Sequence, residues 1–222
     1  RQDMGQNANT GLAQIVAEEL NIDVDNIEGV LPNTGEVPPL AVTAASMSLT
    51  AFSRPTAIAA ATLRESMRER AAANLSESLS AILDDAGGFR TADDRRVSYA
   101  DLLEESSVMV EFDESKPLPA LYTYDSAREK KQVGHAAKPL GIRELVTGEP
   151  VYATDVHMPG MLYGRAIQPP VRNARIASLD TSGVAGIEGV VELVLEGDFV
   201  GVVCNIPSAV NAAMAQIKVT WK

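Results

Sequence analysis

The sequence predicts an α+β fold in two parts, joined by an irregular segment. Helical spacing marks the first part, where leucine, methionine or alanine recurs at every fourth position from Leu63 to Leu83. Short apolar runs separated by turns, the pattern of β-strands, fill the last third of the chain. Between them, residues 113–139 have no periodicity and gather prolines and charges. We predict an α/β segment at 1–112, a linker at 113–139 and a small α+β domain at 140–222.

Composition limits the classes of function. The 222 residues are 45% hydrophobic and 22% charged, which indicates a globular chain. A net charge of −11 argues against nucleic acid or an anionic membrane as partner, because both require basic patches. No apolar run approaches the roughly 18 residues that span a bilayer. Cys204 is the single cysteine, so an internal disulfide is excluded, and its apolar surroundings predict a buried thiol.

The first helix is predicted in NTGLAQIVAEEL, whose apolar residues share one helical face, with Asn9 or Thr10 as N-cap. NIEGVL then predicts a strand. From Pro55 onward the four-residue spacing predicts a long amphipathic helix that ends at DDAGG, and a break near Asn74 is an open alternative. The arginines and glutamates of residues 64–70 are predicted to form its solvated face.

Further elements follow in order. RRVSYADLL predicts a strand edge and then a short helix capped by Ser98. Beyond the irregular segment, strands are predicted in PVYATDV, MLYGRAIQ, ARIASLD, GVVELVL and FVGVVC. A helix in PSAVNAAMAQI and a last strand in KVTW complete this part.

Motifs for common chemistry are missing from the sequence. His135 and His157 have no second histidine or cysteine at metal-ligand spacing, so we predict no metal site. G-x-S-x-G, G-x-G-x-x-G and the Walker A lysine motif do not occur. The 30 carboxylates are scattered, and no acid–base pair can be chosen among them.

Two segments of small residues are better candidates for a binding site. MGQNANTG precedes the first helix, so Gly5 and Gln6 place backbone and amide donors near a positive helix end. TAASMS, about 35 residues later, combines backbone N–H groups that little side chain shields with several hydroxyls. The pair could bind a flat anionic cofactor. Alternatively, a helix packs tightly over a small-residue strand, and the residues alone leave both interpretations open.

The same segments resemble a known family. DMGQNANTGLAQIVAEELNIDVDNIEGVLPNTGEVPP, followed by TAASMS, resembles the E-M-G-Q-G-x-x-T…Q-I-x-A-E-E-L…T-A-x-S-x-S block of the xanthine oxidase family. More narrowly, it resembles the molybdopterin-binding large (beta) subunits of the isoquinoline 1-oxidoreductase, nicotinate and aldehyde dehydrogenase type. VTGEPVYATDVHMPGMLYGRAIQPP and the strands after it resemble the α/β hammerhead domain of that family. The resemblance therefore implies a partial cofactor-binding domain with a long amphipathic helix, followed by a hammerhead domain.

The resemblance also implies the cofactor-binding residues. Gln6 matches the glutamine whose amide binds the pterin region, and Ala45 matches the small residue beside the molybdenum ligands. The remaining matches in the two motifs are Gly5, Thr43, Ala44, Ser46 and Ser48. Asn7 stands where the family has a second glycine, and asparagine tolerates positive φ.

The function implied by the resemblance is that of a molybdenum hydroxylase, an oxidoreductase using molybdopterin. Such enzymes oxidise aldehydes or hydroxylate N-heterocycles and pass electrons to an iron–sulfur subunit. The family's G-G-F-G-G loop and late glutamate base match nothing in these 222 residues, so no catalytic residue is assigned. We expect the chain to be a fragment that is inactive and binds no cofactor alone. Periplasmic export by a twin-arginine leader and a cytoplasmic location both stay open.

The alternative is a non-catalytic segment. In that interpretation the chain contributes subunit contacts, and Asn7 marks a degenerate cofactor pocket.

Overall fold

A computed structural model gives the architecture, and the residues it describes are 3–30, 35, 42–103, 107–113, 115, 117–149 and 152–222. The chain divides into two compact units, Arg1–Tyr152 and Ala153–Lys222. Helices and antiparallel sheets occur together, so the α+β prediction is confirmed. The boundaries predicted at 112/113 and 139/140 stay a prediction. No helix among the described residues is long and apolar enough to cross a membrane.

Two helices dominate the first unit, α1 at Ala8–Leu20 and α2 at Met47–Leu75. α2 begins eight residues before the predicted start at Pro55. The prediction started the helix where the four-residue apolar spacing starts, but Pro55 lies in the third turn of α2 and not in the first turn that proline favours.

The end of α2 also differs from the predicted one. The helix stops at Leu75, beside the alternative break at Asn74, because Ser76 adopts a left-handed conformation and its N–H caps the last turn. Leu79 then lies in a 3₁₀ turn and Leu83 in a strand, so the last two steps of the four-residue series are not helical.

A small antiparallel sheet follows α2, with strands β1 at Leu83–Asp85, β2 at Gly88–Arg90 and β3 at Arg96–Ser98. The short helix α3 at Tyr99–Leu103 starts directly after β3. Ser98 caps it as predicted: the Ser98 hydroxyl accepts the Asp101 N–H at 3.1 Å, and the Asp101 carboxylate accepts the Ser98 N–H at 2.9 Å. The sheet packs on α2 through Phe89, Met67 and their neighbours.

The predicted strand NIEGVL does not form among its described residues. Val24–Asn26 make a 3₁₀ turn and residues 27–30 have no strand partner. Leu31 lies outside the described residues. The irregular residues 117–139 contain one 3₁₀ turn, Tyr122–Tyr124, and precede a six-residue helix α4 at Ile142–Thr147.

The second unit contains five strands and one helix, and its strand predictions hold except the first. PVYATDV forms a 3₁₀ turn at Ala153–Asp155, and its first two residues lie outside the described ones. The observed elements are β4 Tyr163–Ala166, β5 Ile176–Asp180, β6 Val190–Glu196, β7 Phe199–Cys204, α5 Pro207–Gln216 and β8 Lys218–Trp221. They form an antiparallel β4–β7–β6 sheet and an antiparallel β5–β8 pair.

The core of the second unit lies between the central strand β7 and α5. Alternate β7 residues, Val200, Val202 and Cys204, pack with Ala213 of α5 and are all nearly inaccessible to solvent. The predicted burial of the Cys204 thiol is therefore confirmed.

Candidate functional site

The two small-residue segments meet at one surface concavity of about 480 Å³. We call it the N-terminal cavity because the N-termini of both α1 and α2 border it. Its lining consists of Met4, Gln6, Ala8, Thr43, Ala44, Ala45, Ser46, Ser48 and Leu49. Six of the seven residues assigned by resemblance are thus brought together from segments about 35 positions apart.

Gly5, the seventh, is placed differently. It lines a neighbouring concavity with Asn7 and Tyr152, while Met4, Gln6 and Ala8 line the N-terminal cavity. Its N–H donates to Asp3 Oδ1 at 2.9 Å and not to the cavity. Its φ of 101° is one that side chains rarely adopt, so its role in this structure is to form the turn.

Asp3 organises this turn, and sequence reasoning did not find it. Its carboxylate accepts the N–H groups of Gly5, Asn7 and Asn9 at 2.9, 3.2 and 3.1 Å, and Asn9 lies in the first turn of α1. An acidic residue five positions before a helix has no standard capping signature, so the sequence alone does not reveal it. The Gln6 side chain is held within the same turn, since its Oε1 accepts the Met4 N–H at 2.7 Å.

Asn7 adopts a φ of 58°. The position therefore uses the left-handed conformation that the family glycine would supply, and asparagine is among the residues that tolerate it.

The second segment forms a strained turn directly before α2. Ala45 and Ser46 have φ values of 52° and 56°, and the Met47 N–H donates to the Ala44 carbonyl at 3.1 Å. Consecutive non-glycine residues at positive φ each cost about 1–3 kcal/mol and cluster at functional sites. Nothing in the spacing of TAASMS indicates this turn, because alanine and serine are not the residues that positive φ favours.

This geometry rules out the packing alternative for TAASMS. Residues 43–46 form a turn and no strand, and Ala44, Ala45 and Ser46 are exposed to solvent. Only Ser48, already within α2, is buried. The small side chains therefore border the cavity and do not lie beneath a helix.

The electrostatic field of the helix N-termini at the cavity favours an anionic ligand. α2 begins here with no acidic residue in its first turn, and the Ser46 side chain makes no capping bond. Helix N-termini carry a partial positive charge and orient N–H groups towards a ligand. At α1 the Asp3 carboxylate already offsets part of this field. α2 is therefore the stronger source of positive potential.

The histidines stay apart from the cavity. His135 Nε2 is 3.0 Å from the Lys130 carbonyl, and His157 Nδ1 is 3.3 Å from the Tyr163 hydroxyl. Over the part of the chain that the structure describes, no cluster of three His, Cys, Asp or Glu residues could hold a metal ion.

The predicted solvated face of α2 is partly wrong. The Arg64 side chain is 1% exposed and pairs at 2.8 Å with Glu19 of α1, which is 0% exposed. Arg64 also donates to the carbonyls of Glu19 and Ala120 at 2.9 and 2.6 Å and lies 3.5 Å from the Tyr122 ring centroid. The helical pattern alone could not reveal this, because the partners come from distant segments.

A second polar group lies beside this pair. Arg68 Nη2 donates to Asp84 Oδ1 at 2.6 Å, and the Tyr122 hydroxyl donates to Oδ2. Burial opposes ionisation of Asp84, but the hydrogen bond from Tyr122 and the charges of Arg68 and Arg64 together lower the pKa of its carboxyl. At Tyr99 burial is the dominant effect and raises the pKa of the hydroxyl, which donates to the Leu20 carbonyl at the end of α1.

With this geometry established, the chain can be placed in a family. A family profile described as a molybdopterin cofactor-binding domain matches residues 1–142, which include the whole N-terminal cavity. The chain belongs to this family, and the predicted xanthine-oxidase-type relationship is confirmed.

Two curated relatives carry the names of dehydrogenases. The chain is 33% identical to one of the nicotinate dehydrogenase subunits of Pseudomonas putida over 99% of its length, but this covers 19% of that protein. It is 28% identical to a membrane-bound aldehyde dehydrogenase [pyrroloquinoline-quinone] of Gluconacetobacter polyoxogenes over 100% of its length and 29% of that protein. The chain therefore spans between about a fifth and three-tenths of the relatives it matches.

The cavity fits the family cofactor. Molybdopterin is flat and anionic, and the lining offers an exposed amide at Gln6, hydroxyls at Thr43 and Ser46 and a helix N-terminus. The exposed Ala45 adds only a methyl group at the rim.

Proposed function

We propose that the chain forms one wall of the molybdopterin site of a molybdenum hydroxylase that oxidises an aldehyde or hydroxylates an N-heterocycle. The observation that carries this is the convergence of Gln6 with the Thr43–Ser48 segment at the N-terminal cavity. Bound there, the cofactor would supply the redox chemistry, with an iron–sulfur subunit as electron acceptor.

The residues have distinct roles in this proposal. Gln6, Thr43 and Ser46 would hydrogen-bond the pterin, and Ala44 and Ala45 would let it approach the backbone. Ser48 lies in the first turn of α2 and Gly5 shapes the turn before α1, so both support this surface. None of these groups titrates near neutral pH, so the wall binds and orients and moves no proton.

The chain alone is proposed to be inactive. A few neutral hydrogen bonds, each worth about 0.5–1.5 kcal/mol net, do not offset the several kcal/mol that immobilising a ligand costs. The rival proposal, a non-catalytic subunit-contact segment, draws support from Asn7, which adds a side chain next to the Gln6 turn.

Ala45→Phe in the complete native protein tests the proposal. The larger side chain would occupy the cavity, so molybdenum per protein should fall by about tenfold or more while the helical circular dichroism is retained. Ala59→Phe is the matched control, because Ala59 is also an exposed alanine but lies on α2 away from the cavity. Equal metal content in wild type and Ala45→Phe would refute the assignment of this cavity.

A further inference from the structure

We propose that the buried Glu19–Arg64 pair is a positioning device for the cofactor site. It would fix the alignment of α1 and α2, and with it the distance across the N-terminal cavity. This inference rests on the proposed function of that cavity.

The two helices run in the same direction with their N-termini at the same end. Near those ends, a Cβ on Gly11 would lie 3.0 Å from Leu49 Cδ2, so α1 and α2 approach closely there. Near the end of α1, Glu19 meets Arg64. Sequence numbers thus increase along both helices between the two contacts, which places both N-termini at the cavity.

Small side chains leave this alignment weakly specified. The buried residues of α2 before Arg64 are Ser48, Ala57, Ala60 and Ala61. Those of α1 before Glu18 are Ala8, Thr10, Ala13, Ile15 and Ala17. Such faces offer few large side chains whose interdigitation would fix one register. A single buried polar pair is a known way to specify register where packing does not.

The pair has the geometry for this role. Arg64 Nη1 lies 2.8 Å from Glu19 Oε2 and 2.9 Å from the Glu19 carbonyl, so it binds both side chain and backbone of α1. The same carboxylate accepts the Tyr122 and Thr123 N–H groups at 3.0 and 2.8 Å. Sliding one helix along the other would break the two Arg64–Glu19 bonds in a buried environment, which is costly.

The pair lies far from the cavity and can act on it only through the helices. Glu19 is 12 residues from Asn7, or roughly 18 Å along α1. A tilt of about 3° over that length would move the N-terminus by about 1 Å. A displacement of that size can reduce the rate of a reaction about a hundredfold.

The test uses three variants in the complete native protein: Arg64→Met, Arg68→Met and the double variant Glu19→Gln/Arg64→Met. Arg68 is the matched control, because it lies one turn further along α2 and its described hydrogen bonds go to Glu65, Ile82, Asp84 and Tyr122, outside α1. Molybdenum per protein is measured by mass spectrometry, and the melting temperature is measured in parallel.

We expect Arg64→Met to retain about tenfold less molybdenum than wild type, and Arg68→Met to retain nearly all of it. The double variant leaves no lone buried charge, so its melting temperature should recover towards wild type while its molybdenum stays low. If Arg64→Met does not fold, the double variant decides the question by itself.

Three outcomes count against the inference, in two different ways. Molybdenum that recovers with the melting temperature in the double variant, or equal loss in Arg64→Met and Arg68→Met, would show that the pair only stabilises the fold. Wild-type protein without molybdenum would instead overturn the proposed function.

Discussion

The two units of the chain are held together in different ways. In the second unit, the central strand β7 is bonded on both sides and its inward side chains, Val200 and Val202, are 0% and 1% exposed against α5. In the first unit, two of the largest fully buried side chains are charged, Arg64 and Glu19. Apolar packing dominates one core, and charge-assisted hydrogen bonds hold the helices of the other.

The first unit carries the candidate site, and this explains why its helices are held by buried charges. Ala44, Ala45 and Ser46 line the cavity with exposed side chains that add nothing to the core, and Ala45 and Ser46 store strain at positive φ. The helices behind it must therefore be fixed by contacts elsewhere. Glu18 and Glu19, at the far end of α1, provide them by accepting five N–H groups from residues 122–133.

Glu19→Leu should have the largest effect on stability. It removes the buried carboxylate that pairs with Arg64, which among the described residues keeps only the partly exposed Glu65 as an ion partner, and it removes the acceptor of the Tyr122 and Thr123 N–H groups, at a cost of about 3–5 kcal/mol. Chemical denaturation, monitored by the helical circular dichroism to which α1 and α2 contribute, measures this loss of stability. Trp221 is the single tryptophan of these 222 residues and lies in the second unit, so in this chain its fluorescence follows that unit separately.

Val202→Ala is the control for the comparison. It removes methyl groups from the apolar core and should shift the Trp221 transition, leaving the helical signal of the first unit in place. If Glu19→Leu changed both signals equally and Val202→Ala did the same, the two units would not differ as described.

The sequence predicted the second unit better than the first. Alternation and turns located β5, β6, β7 and α5, because strand pairing and apolar burial leave a local pattern. In the first unit, Arg64 has the spacing of a solvated residue, and only tertiary contacts with Glu19 and Tyr122 bury it.

The candidate site was predictable in composition but not in shape. Resemblance selected seven residues, and six of them, all but Gly5, line one cavity. Asp3 builds the first turn with its carboxylate, and the left-handed Ala45 and Ser46 build the second. Neither feature follows a local sequence preference, so neither could be predicted from the sequence.

Glu18→Ala should release the segment that we predicted to be a linker. Glu18 Oε2 accepts the N–H groups of Lys131, Gln132 and Val133 at 2.9, 2.8 and 3.2 Å. Without this acceptor, local opening becomes easier, and trypsin should cleave after Lys130 and Lys131 about tenfold faster. Mass spectrometry of timed digests measures the two cleavages.

Glu69→Ala is the matched control for that digest, because Glu69 is an exposed glutamate of α2. It should leave the cleavage rates unchanged. Immediate cleavage of wild type within 113–139 would support the linker and contradict a stabilising role of Glu18.

The smallest expected effect is on the stability of the fold at acidic pH. The pKa of Asp84 is lowered in the folded protein, so its contribution to stability is present above the unfolded value near 3.9 and is lost as the pH falls through the folded pKa. Asp84→Asn removes this contribution, and an acid titration followed by helical circular dichroism should show a shallower loss of stability below pH 4 than in wild type.

Asp198→Asn is the counterpart in the second unit. The hydrogen bond from Arg175 lowers the pKa of Asp198 too, but the Arg175 side chain is 71% exposed, so water screens the pair. Its substitution should leave the acid transition of Trp221 unchanged. Equal changes for both variants would mean that partly buried carboxylates of the first unit contribute no more to stability than surface ones. The contrast between the units would then rest on Glu18, Glu19 and Arg64 alone.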